Sequence, residues 1–219
     1  MKFEFSPELS DSIQVEAMQV YKLRLFTPRC AQKICEALDL NGEWESEQVV
    51  DRYGPGLDVG DHEPAPKEMQ KDSSRMNEKE SAASDEDGVR KSCQSFATMP
   101  GFYKPYKAGV EKYLYPVMKE LWPTFTPRIV RNPYCVKYDA DDESLYKEMR
   151  VHWDQCIVSL VVALNDGYEG GGTFFPELVY ATGRVAAGSA IIYPGGVAHE
   201  HGAKTVTKGK RYVLVCEFF

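Results

Sequence analysis

Three of the four histidines in this 219-residue chain fall in two short stretches, VHWDQC with His152 and AHEHGAK with His199 and His201. Along an extended strand, residues i and i+2 project to the same side, so His152 and Asp154 would present an imidazole nitrogen and a carboxylate oxygen to one cation. A third ligand from a distant strand would complete two imidazoles and one carboxylate on a single face of the ion. That donor set suits Fe(II) and leaves three positions open to exogenous ligands. His199 and His201 are themselves i and i+2, so strand parity leaves the choice of third ligand open. An HxD triplet alone is a weak signal; the downstream histidines and a basic residue on the next strand give it weight.

That basic residue is Arg211, which opens the apolar run RYVLVCEF. Its strand face continues with Val213 and Val215, whereas Lys208 and Lys210 have the opposite parity and face water. A guanidinium held among valines calls for an anion, because an unpaired buried charge is costly. Its planar fork matches a carboxylate through two parallel hydrogen bonds. Beside an iron with open positions, the expected anion is the far carboxylate of 2-oxoglutarate.

The elements that must position these residues are legible in outline. QVYKLRLF (19–26) reads as a strand. In TPRCAQKICEALDLNG, Thr27 can cap, Pro28 suits the first helical position, and Ala31, Ile34, Cys35 and Leu38 recur at helical spacing before Asn41-Gly42 ends the helix. Helical spacing returns in KAGVEKYLYPVMKELWP, where Val110, Tyr113, Leu114, Val117 and Leu121 share a face and Pro116 must kink or split the helix. Then come short apolar runs at 133–138, 156–164, 172–175, 189–193 and 211–218, separated by Gly, Asn, Asp and Pro. They predict a mainly β (α+β) fold: a double-stranded β-helix, or jelly roll, with the N-terminal helices packed outside. The Gly170–Thr173 run reads as a tight turn or bulge.

Composition bounds the rest. Apolar residues at 43% and charged residues at 27% fit a globular protein with one real core. Residues 58–95 are charged and short of large apolar side chains, which predicts a flexible insertion within a single 1–219 domain, with His62 a solvated loop residue. The net charge of -7 argues against a nucleic-acid partner. No apolar run is long enough to span a membrane, and the start of the chain lacks a signal peptide's apolar segment. Six cysteines without CxxC spacing, several inside apolar runs, read as reduced thiols. The expected location is cytoplasmic.

Taken together, HWD…VALND…YEGGGTFF…H…GKRYVLV resembles the Fe(II)- and 2-oxoglutarate-dependent dioxygenases, specifically the prolyl 4-hydroxylase and procollagen lysyl hydroxylase catalytic domains. VYKLRLFTPRCAQKICEALDLNGEW is similar to the strand-and-helix entry of the lysyl hydroxylases, and YLYPVMKELWPTF…CVKY to the segment before the first metal ligand there. In that family the distal histidine stands ten residues before the cosubstrate Arg or Lys, as His201 does before Arg211. The resemblance therefore implies His152, Asp154 and His201 as the metal ligands, Arg211 as the clamp on 2-oxoglutarate and Tyr138 as a further hydrogen-bond partner of the cosubstrate. It implies Fe(II), 2-oxoglutarate and O2 as cofactors, with ascorbate a candidate reductant. The reaction would hydroxylate an unactivated C–H bond of a lysyl or prolyl residue in a peptide or protein. A free amino acid or small metabolite is the competing substrate. A catalytically inactive jelly-roll binding module and a cupin-type metalloenzyme without 2-oxoglutarate are the readings from other classes. The sequence departs from the family in the acidic stretch between Tyr138 and His152, in the long insertion, and in Val161, which stands where a polar cosubstrate contact is expected.

Overall fold

The computed structural model describes residues 1–42, 44–45, 90–129 and 132–219. They fall in one compact unit formed by Met1–Gly56 and Arg90–Phe219; a second unit, Leu57–Val89, lies outside the described residues. The expected insertion at 58–95, with His62, lies outside them too, except for its last residues. There the structure corrects the sequence reading, because Cys93–Ser95 is a buried strand rather than part of a solvated insertion. Its brevity hid it: CQS carries no alternation, and it is held by pairing with residues 134–136 and by a backbone bridge from Cys93 to Glu45.

Two sheets face each other. The larger one has seven strands in the order β1 (Gln14–Ala17), β2 (Val20–Arg24), β10 (Ser189–Pro194), β6 (Val158–Ala163), β13 (Lys210–Phe218), β4 (Tyr134–Asp139) and β3 (Cys93–Ser95). The smaller has four: β5 (Met149–His152), β11 (His201–Ala203), β8 (Thr173–Phe175) and β9 (Tyr180–Ala181). A two-stranded ribbon joins β12 (Val206–Lys208) to β7 (Glu169–Gly170). Neighbours are antiparallel throughout. This is the jelly roll that the apolar runs predict.

The helices cover the outer face of the larger sheet. Helix α1 (Pro28–Asn41) begins as its sequence requires: the Thr27 side chain accepts from the Cys30 N–H at 3.2 Å, and Pro28 occupies the first turn. It ends at Gly42, whose φ of 65° is left-handed and whose N–H returns to the Leu38 carbonyl. Cys30, Ala31, Ile34 and Leu38 form its buried face. The second helical stretch is split into α2 (Tyr103–Gly109), a π-helical turn (Val110–Leu114) and α3 (Tyr115–Leu121). Pro116 has no N–H to give, and the chain widens ahead of it, with the Tyr115 N–H reaching back to Val110. The wider turn rotates the buried face. Val110, Leu114 and Val117 are buried as their spacing predicts, Tyr113 turns outward, and Tyr106 and Met118 turn in.

The main core fills the space between these helices and the larger sheet, with Leu160, Val162, Ile192, Tyr212, Leu214 and Phe218 contributed by the strands. The opposite face of the same strands looks into the space between the sheets, and the candidate site lies there. No helix among the described residues is long and apolar enough to cross a membrane. All six cysteines are free thiols, five of them buried.

Candidate functional site

His152 ends β5, His201 begins β11, and the two are direct partners across the β5–β11 ladder. A cross-strand pair brings side chains on one face into contact, and here the imidazole centroids are 4.5 Å apart. Asp154 lies just beyond β5, where the chain has left the strand. Its position comes from the turn after β10: the Gly196 N–H donates to the Asp154 carbonyl at 2.8 Å and the Gly195 N–H to that of Ile157 at 2.9 Å. A Cβ on Gly195 would lie 2.1 Å from the Cys156 carbonyl oxygen, so only glycine permits this approach. The outcome is a carboxylate set between two imidazoles. Asp154 Oδ1 is 3.6 Å from His152 Nε2, and Oδ2 is 3.5 Å from His201 Nε2. One ligand atom from each of the three residues falls within 4.8 Å of the others.

The tautomers suit a cation. His152 Nδ1 is 2.8 Å from the Arg150 carbonyl and His201 Nδ1 is 3.0 Å from the His199 carbonyl. A carbonyl only accepts, so each Nδ1 carries the proton and each Nε2 turns a lone pair toward the cluster, an arrangement typical of metal-binding histidines. Burial lowers the pKa of His201, partly opposed by the Asp154 carboxylate, which favours the neutral, ligand-competent ring.

His199 and His201 lie in different local backbone structure. Residues Val197–His199 form a 3-10 turn, not a strand, so the two side chains do not share a side. His199 is buried and donates from Nε2 to the Met18 carbonyl at 3.0 Å, which ties the β1–β2 connection to the site. It stands outside the three-residue cluster, and its backbone carbonyl orients the ring of His201. Trp153, between His152 and Asp154, is 38% exposed and forms no part of the cavity wall.

The cavity between the sheets continues from this cluster to Arg211. Arg211 is 5% exposed on β13, and Val213 and Val215 follow it along the wall, as strand alternation predicts. Its strand partner on β4 is Tyr138, and the guanidinium carbon lies 5.1 Å from the centre of that ring. One nitrogen, Nη2, reaches Thr173 Oγ1 at 3.5 Å; Nε and Nη1 are buried with no hydrogen-bond partner among the described residues. Buried guanidinium nitrogens are rarely left in this state, and among the described residues Asp154 is the one carboxylate on the cavity wall. Three consecutive glycines with positive φ, Gly170, Gly171 and Gly172, carry the chain past this point. A Cβ on Gly171 would lie 3.3 Å from Arg211 Cδ. The GGGT run is thus the tight passage its composition suggests, and it lets the backbone pass against the arginine stem.

Sequence reasoning missed three hydroxyls. Thr173 contacts Arg211, Ser159 donates a short hydrogen bond to Asp154 Oδ2, and Tyr193 lies 2.9 Å from His201 Nε2. Tyr193 is fully buried, and burial pushes its phenol well above the usual tyrosine range, so it stays protonated. Single hydroxyls have no periodicity; the one available signal was strand parity from Val161 to Ser159 and across to β10.

No protein-family model matches the chain. It is 32% identical over 120 residues to the multifunctional procollagen lysine hydroxylase and glycosyltransferase LH3 of Rattus norvegicus, covering 52% of this chain and 16% of that protein. It is 30% identical over 118 residues to the procollagen lysyl hydroxylase and glycosyltransferase of Acanthamoeba polyphaga mimivirus, covering 52% of this chain and 13% of that protein. The chain therefore spans only a small part of the length of these relatives. In structure it is similar to a Pseudomonas putida prolyl-4-hydroxylase, with a TM-score of 0.50 over 99% of this chain and 97% of that one at 13% identity, a likeness of fold. The chain is thus similar in sequence, over about half its length, to procollagen lysyl hydroxylases, and it shares its jelly-roll fold over nearly all its length with a prolyl-4-hydroxylase.

Proposed function

We propose that residues 1–219 act as one catalytic domain that uses Fe(II) and 2-oxoglutarate to hydroxylate an unactivated C–H bond, with a lysyl or prolyl residue of a peptide or protein as substrate. The observation that carries this reading is Arg211: a buried guanidinium with Nε and Nη1 unpartnered, in the cavity that also holds two imidazoles and a carboxylate. A structural ion pair would have supplied those nitrogens with a protein carboxylate. A dicarboxylate cosubstrate supplies one from outside.

The donor set fits the metal. His152, Asp154 and His201 would hold Fe(II), and Arg211 and Thr173 would take the far carboxylate of 2-oxoglutarate, with Tyr138 beside them. When bound, iron and 2-oxoglutarate together would supply the oxidising power, with one oxygen atom of O2 entering the substrate C–H bond as hydroxyl and the other entering the succinate formed as the cosubstrate loses carbon dioxide. The chain's own residues do the rest. The two Nδ1–H bonds to backbone carbonyls keep both Nε2 lone pairs aimed at the cluster. Arg211 fixes the cosubstrate's length and orientation along the cavity. The valines of β13 and Val161 exclude water around it, which strengthens the Arg211–carboxylate pair and limits loss of oxidising equivalents to solvent. His152 is the outermost of the three, with its side chain 42% exposed, so the substrate would approach from its side.

The relatives' names favour a peptidyl lysine, and the fold neighbour's name favours a peptidyl proline. The test is anaerobic addition of Fe(II) and then 2-oxoglutarate to wild type, His201→Ala, His199→Ala and Arg211→Ala, followed by air and a succinate assay. A weak visible charge-transfer band with succinate, kept in His199→Ala and lost in the other two variants, is the expected result. Absence of both in folded, iron-treated wild type would leave a non-catalytic jelly-roll module. Succinate stimulated by a free amino acid but not by lysine- or proline-containing peptides would move the substrate to the small-molecule class.

A further inference from the structure

We propose that Ser159 restricts Asp154 to one coordinating oxygen and so preserves the last open position on the metal. The inference rests on the metal-site reading above and assigns a positioning role to a residue that touches neither substrate nor metal.

Distance alone would let Asp154 chelate. Its two oxygens lie almost equally close to an imidazole nitrogen, Oδ1 at 3.6 Å from His152 and Oδ2 at 3.5 Å from His201. Their hydrogen bonding distinguishes them. Ser159, fully buried on β6, donates its hydroxyl to Oδ2 in a short bond. Cys156 Sγ lies 3.0 Å from the same hydroxyl oxygen. Since the serine proton is committed to the carboxylate, the thiol is the donor in that second contact. Cys156, Ser159 and Asp154 thus form a directed chain with Oδ2 as its final acceptor. The main chain at Asp154 is held as well, because the Gly196 N–H donates to the Asp154 carbonyl. An oxygen that already accepts a charge-assisted hydroxyl bond has less to offer a cation. Oδ1 is then the oxygen left to coordinate.

The count of positions makes this matter. In a six-coordinate site, two imidazoles and one carboxylate oxygen leave three positions, enough for a cosubstrate bound through two atoms and for O2. A chelating carboxylate leaves two, and the cosubstrate alone would fill them. Carboxylates bind metals in both modes, so a donor fixed on one oxygen selects between them.

The experiment counts water on Mn(II), which needs no turnover. Wild type, Ser159→Ala and Ser159→Thr are loaded with Mn(II), and the coordinated waters are counted from EPR line broadening in oxygen-17-enriched water. The expected counts are three for wild type, two for Ser159→Ala and three for Ser159→Thr, which retains the hydroxyl. With 2-oxoglutarate added they should fall to one, none and one. A count of two in wild type overturns the inference whether or not the alanine variant folds, and so does an unchanged count of three in Ser159→Ala. Wild type that takes up no Mn(II) removes the metal site itself, a failure distinct from a wrong role for Ser159.

Discussion

The two faces of the larger sheet use the same strands for opposite purposes. Along β13, Tyr212, Leu214, Cys216 and Phe218 enter the core beneath the helices, while Arg211, Val213 and Val215 face the cavity. The helix-side face buries apolar area against α1, α2 and α3, and this contact supplies the fold's stability. The cavity side holds a buried guanidinium with two nitrogens unpartnered among the described residues, together with hydroxyls and imidazoles, His152 the most exposed of them. The alternation of a strand separates the two tasks by one residue. Each side can therefore be disturbed with little effect on the other, and experiments can test that separation.

The largest expected effect is His201→Ala, which removes a cluster member from the cavity face. Metal affinity, measured by calorimetry with Mn(II), should fall by more than the roughly 10–100-fold that loss of an outer-shell partner costs, while the far-ultraviolet dichroism stays unchanged. Next is Arg211→Met. Removing one partner of a buried, hydrogen-bonded charge pair costs about 2–5 kcal/mol, so 2-oxoglutarate affinity on the Mn(II)-loaded protein should drop by roughly 30-fold or more. The same change should leave the ligand-free protein as stable or more so in urea, because it deletes an uncompensated charge. That sign would be the sharpest evidence that the two faces answer to different demands.

Leu214→Ala tests the other face. A buried leucine truncated in a packed core should cost about 2–5 kcal/mol in a denaturation curve, with Mn(II) affinity of the folded fraction unchanged. A large loss of metal affinity there would break the comparison. Smallest is Gly171→Ala, whose Cβ would sit at a φ of 65° and press on Tyr168 and Arg211 Cδ. The strain should cost roughly 1–2 kcal/mol of stability and lower 2-oxoglutarate affinity a few-fold through the displaced arginine.

Much of this division is visible in the sequence, for a physical reason. Apolar runs such as CIVSLVVAL and RYVLVCEF announce strands buried on both sides, and Thr27, Pro28 and Gly42 punctuate α1 with groups that its termini require. Parity alone places Val213 and Val215 beside Arg211. The parity argument fails where the backbone leaves the strand: His199 sits in a tight turn, and Asp154 owes its place to glycines that follow β10 rather than to β5. Hydrogen-bond partners were out of reach for a related reason. Ser159, Thr173 and Tyr193 act through long-range pairing, and a hydroxyl has the same letter whether it faces a carboxylate or a neighbouring leucine. The strand at 93–95 went unread because three residues supply too little pattern.

The order of the strands also bears on how the molecule comes together in time. β2 pairs with β10, and β4 and β6 both pair with β13, so the larger sheet is stitched almost wholly from segments far apart in the chain. Such closures carry a heavy loop-entropy penalty before contacts reward them and belong to the slow end of folding rates. The ladder that brings His152 to His201 spans the same kind of distance. A cation offered early would meet separated ligands and gain little, so metal capture should follow the rate-limiting step and leave the refolding rate unchanged while slowing unfolding.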